Sequence, residues 1–175
     1  MNKFPAFLLA AFVFAVAACT GNGNASKSET SGQTYASYCN STYNFCVDYP
    51  EGLLYPQPES DNGDGRSFKD KNGNKVLIVY RTVPMDETGE TLTLDQQFEI
   101  DLRGMNNPAG NEGRTITYNR LGKNFYVISG FNQGKIFYQK TVLIKAGLAY
   151  AYMEYPEAEK EVYGPVAKKI FTSFK

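Results

Sequence analysis

Cys39 and Cys46 offer the most clearly readable local chemistry in this sequence. They are separated by the six residues NSTYNF, and the stretches YASYC and FCVDY on either side read as extended segments around a polar turn at Asn40, Ser41 and Thr42. A hairpin there sets the two sulfurs opposite each other, so the expected product is a disulfide, which for so short a loop contributes on the order of 2 kcal/mol. Redox catalysis fits poorly, because the spacing is not Cys-x-x-Cys and no basic side chain or helix start adjoins either thiol to lower its pKa. Asn40-Ser41-Thr42 also matches a glycosylation sequon, and is read here as turn chemistry.

Most other reactive constellations are missing. With no His in 175 residues, the chain lacks Ser-His-Asp and Cys-His nucleophile pairs and any His-ligated zinc or haem. Gly63-x-Gly65 and Gly21-x-Gly23 lack the third glycine and the following helix of a dinucleotide site. No phosphate-binding loop, Ser-x-x-Lys or Gly-x-Ser-x-Gly occurs. Two acidic turns invite a calcium reading, Asp61-Asn62-Gly63-Asp64-Gly65 and Asp70-Lys71-Asn72-Gly73-Asn74. The second has Lys75 and Arg81 where a calcium loop needs Gly and Glu, so both are expected to be turns, with an adventitious calcium ion as the alternative at Asp61 and Asp64. The carboxylates leave one catalytic alternative, a His-free hydrolase, which requires two of them to converge within about 5–10 Å in a cleft. Lys and Arg number 18 against 18 Asp and Glu, which argues against nucleic acid as a partner. No cofactor and no enzymatic activity is expected.

The remaining cysteine has a different setting. Lys3 precedes an uncharged apolar run from Phe4 to Ala18, too short to span a hydrocarbon core that needs about 20 helical residues. A basic start, a short apolar core and small residues before the end mark a cleaved export signal. Val16-Ala17-Ala18-Cys19 resembles the lipobox of bacterial lipoproteins. That resemblance implies transfer of diacylglycerol to the Cys19 thiol, cleavage between Ala18 and Cys19, and acylation of the new amino group. Membrane lipid is then a partner through Cys19, and Thr20 in place of Asp points to the outer membrane. Several acyl chains, at roughly 0.8 kcal/mol per buried methylene, make a lasting anchor. Residues 19–34 follow as the lipidated Cys and a Gly-, Ser- and Asn-rich linker reaching on the order of 20 Å.

Residues 35–175 read as one domain of the α+β class, a mainly antiparallel twisted sheet of about 6–8 strands with helices on its faces. Runs of Val, Ile, Tyr and Phe bounded by Gly, Asn, Asp or Pro place strands near 35–39, 44–49, 66–70, 75–82, 114–119, 123–131, 135–145 and 148–155. Asn72-Gly73, Asn132-Gln133-Gly134 and Ala146-Gly147 supply hairpin turns. Val76 to Tyr80 and Phe125 to Ile128 are apolar without alternation, so both faces of the sheet need cover. One cover is a helix near 94–106, opened by a Thr93/Gln96 capping box, with the stripe Leu94, Phe98, Leu102 and Met105 and an end at Gly104 and Pro108. The other is a helix near 157–172 with the stripe Val162, Val166, Ile170 and Phe174, broken or kinked at Gly164-Pro165.

The motifs Val47-Asp48-Tyr49-Pro50-Glu51-Gly52, Asp64-Gly65-Arg66-Ser67-Phe68, Tyr155-Pro156 and Lys169-Ile170-Phe171-Thr172-Ser173-Phe174-Lys175, in this order of elements, resemble the PsbP-like α/β/α sandwich. The resemblance implies a non-catalytic binding or assembly module. Alternatives are a pocket between sheet and helix for a small apolar or anionic ligand, favoured if Tyr and Lys line a cavity there, and the carboxylate hydrolase above. An envelope protein partner is compatible with the first. Charge is segregated: Asp86, Glu87, Glu90, Asp95, Glu99, Asp101 and Glu112 precede Arg114, Arg120, Lys123, Lys135, Lys140 and Lys145. The second set forms either a surface for an anionic partner or the basic strands on which the acidic helix packs. Tyr150, Tyr152 and Tyr155 are candidates for a recognition surface or for rings packed in the strands.

Overall fold

The computed structural model describes residues 32–104 and 114–175. The signal, Ala18, Cys19, most of the linker, and Met105, Pro108 and Glu112 lie outside the described residues.

Strands β1 (Tyr35–Asn40) and β2 (Phe45–Pro50) form an antiparallel hairpin. Seven further strands build one antiparallel sheet: β3 (Tyr55–Glu59), β4 (Gly65–Lys69), β5 (Lys75–Thr82), β6 (Arg114–Leu121), β7 (Phe125–Asn132), β8 (Lys135–Ile144) and β9 (Gly147–Pro156). Their order across the sheet is β3-β4-β5-β9-β8-β7-β6. Helix α1 (Leu94–Leu102) follows β5, and α2 (Lys160–Ser173) follows β9 after a single 3₁₀ turn. The expected α+β class and antiparallel sheet covered by helices are therefore present.

The middle strand, β9, shows how the sequence makes two different faces. Side chains alternate along a strand, so Ala149, Ala151, Met153 and Tyr155 point to one side and Leu148, Tyr150, Tyr152 and Glu154 to the other. The two alanines leave room for α2 and the hairpin, whose Tyr38, Phe45, Val47, Val166, Ala167, Ile170 and Phe174 complete the larger core. On the opposite side Leu94 and Phe98 of α1 pack with Tyr126, Ile128, Phe137, Leu148, Tyr150 and Tyr152. Val76, Leu77 and Val79 join the first core while Ile78 and Tyr80 meet the second, which is the double cover that the unbroken apolar run of β5 calls for.

Cys39 and Cys46 occupy directly paired positions of the hairpin, with Cα atoms 4.1 Å apart, and are joined by a disulfide. The hairpin is fastened at its other strand as well: Lys175 exchanges two backbone hydrogen bonds with Cys46. At the β7–β8 turn Gln133 and Gly134 both adopt positive φ, the geometry of a tight hairpin turn. Thr34, assigned to the linker from sequence, is already engaged, since its carbonyl accepts from Glu51 N–H at 2.9 Å.

Four local expectations change. Strand β3 is additional to the strands read from the sequence; it contains Pro56 and Pro58 and forms at the sheet edge, where missing N–H groups are tolerated. The α2 stripe holds at Val166, Ile170 and Phe174 but not at Val162, which is exposed; Tyr163 and Ala167 complete the buried face. Pro165 does not end the helix, which runs unbroken from Lys160 to Ser173. So near the N-terminus the proline removes only the bond to the carbonyl of exposed Glu161, which water can meet. Helix α1 ends at Leu102, with Arg103 as its cap.

Candidate functional site

The two helices do not cover the sheet equally. Helix α1 has nine residues and packs against β6 and β7, so part of the face made by β5, β9 and β8 lies open beside it. The capping box at Thr93 and Gln96 fixes where α1 starts: Thr93 N–H donates to Gln96 Oε1 at 2.9 Å and Gln96 N–H to Thr93 Oγ1 at 3.4 Å. That start sets the phase in which positions 94, 97, 98 and 101 face the sheet. Two of these four are polar, Gln97 and Asp101, and they are only 2% and 4% exposed.

Asp101 is the centre of a buried polar cluster. Tyr126 donates its hydroxyl to Asp101 Oδ2, Gln139 Nε2 donates to the same oxygen at 2.5 Å, and Gln97 Nε2 donates to Oδ1 at 2.7 Å. Burial pushes the carboxyl above its ordinary range, while the bonds from Tyr126, Gln97 and Gln139 and the charge of Arg114 oppose that shift. Arg114 lies over the Phe137 ring at 4.5 Å and its Nη1 donates to the Asp101 carbonyl at 3.4 Å. The neighbouring Tyr80 and Tyr150 rings stack at 5.1 Å, and burial with the Asp101 charge pushes the Tyr80 hydroxyl up to about 12.

Two cavities adjoin this cluster and share Tyr152. The first, of about 290 Å³, lies between α1 and the sheet, with Tyr80, Tyr150, Gln139, Gln97 and Asp101 among its walls and Met85 at the rim. The second, of about 340 Å³, extends over Ile78, with Asn132, Glu154, Lys75 and Lys135 around it. Burial would raise the Glu154 carboxyl, but bonds from Lys135 at 2.9 Å, Tyr152 at 2.7 Å and Asn132 at 3.1 Å outweigh it and hold the group below the usual range. Among the described residues, Gln97 Oε1 and Asn132 Oδ1 are fully buried acceptors without a partner, and Arg114 Nε and Nη2 are buried donors without one. Such atoms are uncommon in a folded core.

The six basic residues singled out by charge do not meet at one place. Arg114 packs on the α1 side against Phe137. Lys135 is paired with Glu154 at 2.9 Å. Lys140 points to the opposite face, donating to the carbonyls of Phe171 and Phe174 at the end of α2. Arg120, Lys123 and Lys145 are exposed, Lys123 and Lys145 in the turns at one end of the sheet and Arg120 near the end of β6. The tyrosine trio also divides: Tyr150 and Tyr152 floor the groove, whereas Tyr155 faces α2. The acidic turns are closed on themselves. Asp64 accepts from Ser60 and Asn62, Asp70 from Asn72 and Asn74, and among the described residues no cluster of three or more Cys, Asp or Glu is placed to hold a metal.

Gln97, Gln139 and Glu154 are not singled out by sequence, Asn132 reads as a turn residue but ends β7, and Asp101 reads only as one of a run of acids. A signal was present. Positions 94, 97, 98 and 101 follow the i, i+3, i+4, i+7 spacing of a buried helical face, so two polar residues among them mark an occupied interior.

The protein resembles the PsbP fold in three dimensions as well. The solution structure of the cyanobacterial PsbP protein CyanoP from Synechocystis sp. PCC 6803 superposes with a TM-score of 0.56 at 12% sequence identity, covering 84% of this chain and 95% of that one. At that identity the likeness is one of fold. No protein-family model and no curated protein sequence matches the chain.

Proposed function

We propose that the protein is a lipid-anchored, non-catalytic binding module of the bacterial envelope, whose PsbP-like domain takes a small ligand in the groove beside α1. The observation that carries this reading is the pair of cavities meeting at Tyr152, lined by Tyr and Lys side chains. Their volumes lie around the lower end of small-molecule sites, about 300–1,000 Å³. Catalysis by paired carboxylates finds little support, because Asp101 and Glu154 line different cavities and each is already bound by three donors. The test is a set of cationic, neutral and anionic fragments followed by protein-observed NMR. Shifts confined to Gln97, Gln139, Tyr150, Tyr152 and their neighbours are expected, and a folded protein on which no fragment of any charge touches the groove would overturn the ligand reading.

Assembly through a surface is the second reading, and it has its own support. On the side of the sheet facing α2, Tyr118 and Phe131 of β6 and β7 remain 50% and 36% exposed, with Arg120 on the same strand as Tyr118. Cross-linking in intact cells would capture the partner such a surface implies.

The anchor rests on the lipobox Val16-Ala17-Ala18-Cys19. Diacylglycerol on Cys19, with the linker after it as a tether, would hold the domain at the membrane surface, in the outer membrane by the Thr20 rule. Metabolic labelling with a palmitate analogue should mark the wild-type chain and leave Cys19→Ser unlabelled. Equal labelling of the two would remove the anchor and leave the groove untouched.

A further inference from the structure

We infer that the 340 Å³ cavity is a site for a small organic anion, its carboxylate met by the ammonium groups of Lys75 and Lys135 and its carbon body laid against Ile78. The inference rests on the groove being a ligand site and adds the chemical class of the ligand.

The first observation is the balance of charge in the wall. Lys75, Lys135 and Glu154 are the charged residues that line this cavity. Glu154 is fully engaged: Lys135 donates to Oε1 at 2.9 Å, and Tyr152 and Asn132 donate to Oε2 at 2.7 and 3.1 Å. Those bonds hold the carboxyl below its ordinary range, so it is ionised at neutral pH and is matched by the one lysine. Lys75 is left over. Among the described residues no carboxylate lies within ion-pair reach of it, and none of its three N–H groups has an acceptor. Two further acids, Asp70 and Glu159, line a neighbouring recess of about 150 Å³ that shares both lysines, and Asp70 is spent on Asn72 and Asn74 of its own turn. A cationic ligand in the larger cavity would meet two ammonium groups and a carboxylate already taken.

The second observation is access. Lys75 is exposed, and the Lys135 side chain keeps 52% of its surface while giving one of its three N–H groups to Glu154. The fold spaces the two. Lys75 opens β5 and Lys135 opens β8, the strands on either side of β9, and both strands start at the same end of the sheet. Strands about 4.8 Å apart set the two neighbours of a middle strand about 10 Å from each other, a gap that two lysine side chains close around one carboxylate.

The third is the body of the site. Ile78 is only partly buried and is paired across the sheet with Tyr152, so the two form an apolar floor. The Tyr152 ring stacks on Phe137 and its hydroxyl is spent on Glu154, which holds the floor in place. A volume near 340 Å³ suits a single ring or a short alkyl chain with its carboxylate and is too small for a lipid.

The experiment uses the purified full-length chain, read by calorimetry and by amide NMR. Benzoate and butyrate are the probes, benzyl alcohol and benzylamine their neutral and cationic counterparts, and inorganic phosphate an anion without a carbon body. The carboxylates should bind and shift residues 75, 78, 135, 152 and 154, and the alcohol and amine should bind at least about tenfold more weakly, as expected when a charge-assisted bond is lost. Lys75→Gln, at an exposed position where folding is not at stake, should weaken benzoate binding by about tenfold, and Lys75→Glu should abolish it. Lys123→Gln, exposed at the opposite end of the sheet, should leave it within about twofold. Equal or tighter binding of benzyl alcohol or benzylamine overturns the anion assignment while leaving the groove a ligand site. Phosphate that binds these residues as tightly as benzoate means an adventitious ion only and overturns the organic ligand. Benzoate binding that survives Lys75→Glu, or that falls equally in Lys123→Gln, places the anion elsewhere and overturns the assignment too. If no probe binds, the assignment falls; the broader reading falls only if the wider fragment set also fails.

Discussion

Asp101→Leu is expected to lower the free energy of unfolding by about 3–5 kcal/mol, and Asp101→Asn to leave it unchanged or raise it at neutral pH. The contrast follows from what surrounds the carboxyl. Leucine removes the one group that accepts from Tyr126, Gln139 and Gln97, all of them buried, and strands three donors at a cost of about 1–3 kcal/mol each before relaxation. Asparagine keeps an oxygen for Tyr126 and Gln139 and turns its amide to Gln97, whose unpartnered Oε1 becomes the acceptor if that side chain flips. The substitution also removes a buried charge, and that has a pH signature. Asp101 has its carboxyl raised in the folded protein, so between the ordinary value of 3.8 and the folded value the native state holds a proton that the unfolded chain has lost. Its contribution is fully present below 3.8 and declines as pH rises through the folded pKa, by about 1.4 kcal/mol for each pH unit in that window. Urea titrations of the wild type and Asp101→Asn across pH 3 to 8 should diverge in this direction, the variant gaining on the wild type as pH rises. A wild type that gains on the variant over that range would contradict the raised carboxyl.

Phe174→Ala is expected to cost about 3–5 kcal/mol, the range for truncating a fully buried aromatic ring. Phe174 is 0% exposed although only Lys175 follows it in the sequence. Its ring meets Phe45 edge-on at 6.1 Å, its N–H closes α2 on the Ile170 carbonyl at 3.0 Å, and its own carbonyl accepts from Lys140 at 2.8 Å. The alanine keeps those backbone bonds but empties the space between α2 and the β1–β2 hairpin, so the cavity term adds to the lost transfer energy. In a domain stabilised by about 5–15 kcal/mol this is a large fraction. A lower denaturation midpoint with an unchanged slope is the expected readout. Because the ring lies on the face opposite the groove, fragment binding beside α1 in the folded variant should stay within about twofold of wild type.

Much of the fold is legible in the residues because it is set by local rules. The capping box at Thr93 and Gln96, the Gln133-Gly134 turn, the double apolar run of β5 and the register that pairs Cys39 with Cys46 each depend on neighbours within a few positions. Where the sequence misleads, a rule competes with position in the sheet. Residues 55–59 carry two prolines and form a strand because β3 lies at an edge, and Val162 alone leaves the α2 stripe, with Tyr163 packed in the core instead.

The sequence alone thus determined the elements, their alternation and the covalent hairpin, together with a lipobox that stands as an expectation of the residues at 16–19. The groove was decided by tertiary structure. Asp101, Gln97, Gln139 and Tyr126 come from one helix and two strands, separated by as many as 42 positions, and nothing in their local context says that they meet. Only the packing of a nine-residue helix across one side of a seven-stranded sheet brings them together and leaves space beside them. Burial then turns an ordinary helical aspartate into a carboxyl without a full counter-charge, since the cost of a charge depends on the water removed around it and not on its place in the chain.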